Sequence, residues 1–120
     1  MPPQEKDRSR EAPMGATSLA NLLRQCGILF ESLDEFSNPQ RLRAFFRIHG
    51  LYIYEPCVAR SAGLDFNLLL DCLKRSGRDY EGQALVEVLK QLATDYSNDH
   101  RGRQCDEMKN LLERHFTGNS

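Results

Sequence analysis

Residues 37 to 51 read SNPQRLRAFFRIHGL, and this stretch carries both the start and the stop of a helix. Asn38 is a favoured cap, because its side-chain oxygen accepts a bond from a backbone N–H that has no partner inside the helix. Pro39 suits the first helical position, where its missing N–H would be unpaired anyway. Gly50 readily takes the left-handed conformation that turns a chain out of a helix. Between these marks Leu42, Phe45, Phe46 and His49 recur at helical spacing, while Arg41, Arg43 and Arg47 project away from the apolar stripe. The pattern predicts a short amphipathic helix that carries positive charge outward.

The same grammar extends in both directions. Upstream, Thr17 or Ser18 can cap a helix whose apolar positions are Leu19, Leu22, Leu23, Cys26, Leu29, Phe30 and Leu33, at steps of three and four. Gly27 inside it predicts a bend or a close neighbour, since glycine costs about 1 kcal/mol against alanine there. Downstream, LYIYEPCVARSAG from Leu51 to Gly63 mixes strand-favouring residues with Pro56. A lone strand among helices would leave its backbone unpaired, so the expectation is a short helix from Pro56 within a connection.

Leu64 to Arg75 places Phe66, Leu69, Leu70 and Leu73 on one face, broadened by Leu64, Leu68 and Cys72, with a stop at Gly77. A helix apolar over more than half its circumference is expected at the centre. Asp79 is the expected cap of the next helix, whose stripe is Ala84, Leu85, Val88, Leu89, Leu92, Ala93 and Tyr96. Asp95 to Gly102, DYSNDHRG, reads as a polar break. A last helix then carries Cys105, Met108, Leu111, Leu112, His115 and Phe116. The predicted fold is all-α, a compact antiparallel bundle of five to six short helices over residues 17–117. Residues 1–16, rich in proline and charge, read as a disordered tail, and residues 118–120 as a frayed end. No repeat of constant period argues for a solenoid.

The 120 residues are 40% apolar, enough for one core, and 16 basic against 17 acidic residues leave a net charge of -1. That balance gives no global attraction to nucleic acid or an anionic membrane, so the expected partners are proteins. No segment approaches the ~20 apolar residues of a membrane-spanning helix, and the first sixteen residues hold no signal-peptide core, which predicts a cytoplasmic protein. Cys26, Cys57, Cys72 and Cys105 form no CxxC pair and no zinc-like cluster with histidine. Cys26 and Cys72 sit among leucines, where a thiol packs as a small hydrophobe.

Catalysis needs a nucleophile and a base that meet. The nearest grouping, Asp99, His100 and Cys105, lies at a polar helix start that solvent and capping already explain. Neither a glycine-rich phosphate loop nor an HExxH motif occurs, so no cofactor, metal or small-molecule substrate is expected. Tyr52 and Tyr54 beside Arg47 and Arg60 offer stacking surfaces for RNA but lack a basic groove.

Charge segregation remains. Glu31, Asp34 and Glu35 at i, i+3 and i+4 would form an acidic face, Arg41, Arg43 and Arg47 a basic one, and Lys74, Arg75 and Arg78 a second basic cluster. Faces of opposite sign on different surfaces would support a heterologous contact between copies, closing a ring or extending a filament.

Three segments, NPQRLRAFFRIHGL, LDFNLLLDCLKRSGRDYEGQALVEVLKQLATDYSNDH and QCDEMKNLLERHF, resemble the bacterial effector-associated domains of the death-like helical superfamily. The resemblance covers roughly residues 19 to 116. It implies an antiparallel six-helix bundle and an adaptor role without catalytic residues. Such domains are fused to peptidases, TIR modules or NTPases of bacterial conflict systems and pair like with like. An armadillo-like or elongation-factor-like helical domain, which also uses an F-x-x-x-GL step and holds linear peptides in a groove, is the alternative reading.

Overall fold

A computed structural model describes residues 18 to 118, and the tail, the alternative cap Thr17 and the last two residues lie outside the described residues. Six α-helices and two 3-10 turns form it: α1 (Leu19–Glu31), a turn at Asp34–Phe36, α2 (Pro39–Ile48), a turn at Tyr52–Tyr54, α3 (Pro56–Arg60), α4 (Phe66–Arg75), α5 (Gln83–Asp95) and α6 (His100–Thr117). Five helices of ten residues or more and one short one match the all-α expectation, including the short helix from Pro56.

The opening stretch folds as its residues dictate. Asn38 Oδ1 accepts from Arg41 N–H at 2.9 Å, and Pro39 takes the first helical position. At the other end Gly50 has φ +71°, Leu51 N–H donates to Phe46 O at 2.7 Å and Gly50 N–H to Arg47 O at 3.3 Å. Those two bonds close the helix in a Schellman motif. Leu42, Phe45 and Phe46 are buried. Ser18 caps α1 through Asn21 N–H, as expected.

Elsewhere local signals yield to packing. The acidic trio does not share a helix face, because α1 ends at Glu31, where the Ser32 hydroxyl and N–H both donate to Leu29 O. Leu33 and Phe36 then turn inward, and Phe36 stacks on Phe30 with ring centroids 4.1 Å apart. Helix α4 starts after Leu64, which lies outside it at φ +72°, and Asp65 Oδ1 caps it through Asn67 and Leu68 N–H. Leu68 faces solvent rather than a neighbour. Gly77 does not supply a left-handed stop to α4, which ends at Ser76 in extended backbone.

Asp79 does not cap α5. The preceding residue is Gly82 at φ +86°, and the Gln83 side chain organises the approach, its Oε1 accepting from Arg78 and Asp79 N–H at 2.7 and 2.9 Å. Six side chains of α5 are buried, Ala84, Leu85, Val86, Val88, Leu89 and Leu92, so α5 rather than α4 is the central helix. It packs between α4 and α6, and α1 lies across α6 and α4. Each fully buried aliphatic side chain contributes about 1.5–3 kcal/mol relative to exposure. Helix α6 begins inside the expected polar break, capped by Asp99 through Arg101 N–H at 2.9 Å. Gly102 is buried within its first turn, and a Cβ there would overlap the Tyr96 carbonyl.

Candidate interaction surfaces

The charges singled out in the sequence do not gather on one surface. Asp34 and Glu35, on the 3-10 turn after α1, line a shallow trough of about 300 Å³ together with Arg41, Phe45, Ile48 and His49 of α2 and Asp95 of α5. The structure thus brings Arg41 alongside Asp34 and Glu35, so part of the basic face adjoins part of the acidic one. Ile48 stands 77% exposed at its edge. His49 Nε2 lies 2.9 Å from Asp95 Oδ2, and its ring meets Phe45 edge-on at 4.7 Å between centroids.

Glu35 also serves the fold. Tyr96 O–H donates to Glu35 Oε1 at 2.8 Å, and burial together with this bond pushes the phenol up to about 12. The Arg101 guanidinium lies over the Tyr96 ring, 4.7 Å from its centroid, and pairs with Asp99 at 2.8 Å. Hydrogen bonds from Arg101 hold the Asp99 carboxyl down at about 2. The Tyr96–Glu35 bond joins residues 61 positions apart, and no local spacing announces it.

Glu31 sits elsewhere. With Lys74 it lines a groove of about 500 Å³ between α1 and α4, floored by Leu23, Gly27, Phe66 and Leu70. Gly27 answers the bend-or-neighbour question in favour of a neighbour, since a Cβ there would lie 3.2 Å from Leu70 Cδ1. Arg47 is held by Glu55 at 2.8 Å and Arg75 by Asp71 at 2.6 Å, with both guanidinium groups largely in solvent, where such pairs contribute little stability. Arg43 is half-buried and Arg78 exposed, and neither has an ion pair among the described residues.

The Cys105 grouping does not assemble. Cys105 is fully buried, with burial pushing its thiol up to about 11, while the His100 side chain is 73% exposed beside Asp99. Burial also raises the thiols of Cys26 and Cys57. Among the described residues no three His, Cys, Asp or Glu side chains are arranged to hold a metal ion, and no helix is long and apolar enough to cross a membrane. Compared with protein-family models, curated proteins and solved structures, the chain matches none of them.

Proposed function

We propose that this chain is a non-catalytic protein-interaction module, an adaptor that assembles effector proteins through contacts with another copy of itself or with a related domain. The observation that carries the reading is the Asp34–Glu35–Arg41 trough, where both signs of charge border the exposed Ile48 on a shallow surface. Exposed apolar surface bordered by charges of both signs suits a protein partner. The acidic Asp34 and Glu35 would meet a basic cluster on the neighbouring molecule, either Arg43 and Arg47 of α2 or Lys74, Arg75 and Arg78 at the end of α4. The helical bundle is compatible with an effector-associated, death-like domain acting in bacterial defence or signalling in the cytoplasm.

The test is charge reversal. Asp34→Arg or Arg43→Glu is expected to weaken association about tenfold while the far-ultraviolet circular dichroism stays helical. Undiminished association in both variants overturns the reading, and a lost helical signal would make the charge structural. The apolar floor of the α1–α4 groove favours a second reading, a groove for a linear peptide.

A further inference from the structure

The outer face of α1 carries opposite charges at symmetric positions on one groove wall. Arg24, Gly27, Ile28 and Glu31 are at i, i+3, i+4 and i+7, and all four line the open side of the α1–α4 groove. Four residues at that spacing form the lozenge-shaped hole that accepts one side chain of a facing helix. Here the lozenge is basic at its N-terminal corner, acidic at its C-terminal corner, empty at Gly27 and occupied by Ile28, which is 58% exposed. Glu31 closes the last turn of α1, where a negative charge opposes the helix dipole and no basic residue compensates it.

We infer that a second copy of this chain docks here, α1 against α1, antiparallel about a twofold axis that passes between Gly27 and Ile28. The opposite charges at the two ends of this quartet let one register satisfy its apolar and its charged pairs together. Seating Ile28 of one copy in the lozenge of the other, with room supplied by Gly27, puts the axis between those residues. Setting Arg24 level with Glu31 of the second copy does so too, because both pairs of residue numbers share one midpoint. The contact is isologous, so each charge pair forms twice and the two helix dipoles run in opposite directions. The Arg24 guanidinium donates to Asn21 Oδ1 at 2.7 Å, which leaves further donors for a carboxylate. Close approach is possible because Gly27, beside the axis, carries no side chain. This contact rests on the proposed association between copies, but it uses a surface separate from the Asp34 trough.

Sedimentation equilibrium of the full chain tests it. Ile28→Asp is expected to weaken self-association at least tenfold. Arg24→Glu and Glu31→Arg each place like charges opposite one another twice and should each weaken it about tenfold, which is about 1.4 kcal/mol. The double variant, Arg24→Glu with Glu31→Arg, restores both pairs and should return to within about threefold of the wild type, a recovery that a folding defect would not produce. Failure of the double variant to recover overturns the contact. Association that survives Ile28→Asp yet is lost in Asp34→Arg overturns it while leaving the adaptor reading standing. A wild-type chain that stays monomeric, or a groove that takes only a linear peptide, overturns it as well.

Discussion

Gly27 and Gly102 both sit inside helices, and they mark opposite kinds of surface. Gly102 is sealed in the α5–α6 seam, where the Tyr96 backbone occupies the space a side chain would need. Gly27 meets a single flexible neighbour, the tip of Leu70, and its other side opens on the α1–α4 groove. One glycine is closed in by backbone on the side a Cβ would take, and the other meets only the tip of Leu70 there, beside an open groove. The closed seam adds to stability, and the open groove leaves side chains of α1 and α4 facing solvent.

The contrast is broken most severely at Gly102. Gly102→Ala drives a Cβ into a backbone carbonyl that cannot rotate away, and the expected loss is about 3 kcal/mol in denaturant unfolding. A near-neutral result would mean that the seam is looser than described. Asp99→Ala removes the cap of α6 and the anchor of Arg101, and should lower the melting temperature by about 5 °C.

The acid limb sharpens the same point. Arg101 holds the Asp99 carboxyl near 2 in the fold, below its ordinary value of 3.8, so its contribution is fully present above about pH 4. It is lost as pH falls through about 2. Asp99→Asn keeps a capping oxygen but should flatten this part of the pH–stability curve, as thermal melts at pH 2–5 would record. Gly27→Ala is the mildest case. The helix gains about 1 kcal/mol of propensity while Leu70 shifts by a few tenths of an ångström, so stability should change by less than about 1 kcal/mol.

Helix existence was legible because each strong helix writes its own period and punctuation. Asn38, Pro39 and Gly50 frame α2 as read, and Pro56 begins α3 as read. The misreadings share a cause, a residue-type signal outweighed by a side-chain or backbone contact a few residues away. Asp79 looked like a cap, but Gln83 reaches back to tie the loop from within the helix. Gly102 looked like a break, but it is where α6 presses on the end of α5. Glu31, Asp34 and Glu35 looked like one helical face, but stacking of Phe36 on Phe30 ends the helix between them. Of the candidate surfaces, the charges themselves were legible. Their grouping was not, because Arg41 joins Asp34 and Asp95 only through the packing of α2 against its neighbours.

Light scattering coupled to size-exclusion chromatography, run across protein concentration at low and at high salt, tests the central claim that copies of this domain assemble through charged surfaces. The expected mass rises with concentration at low salt and falls toward 13.8 kDa as salt screens the contacts. A mass of one chain at every concentration and salt would contradict it.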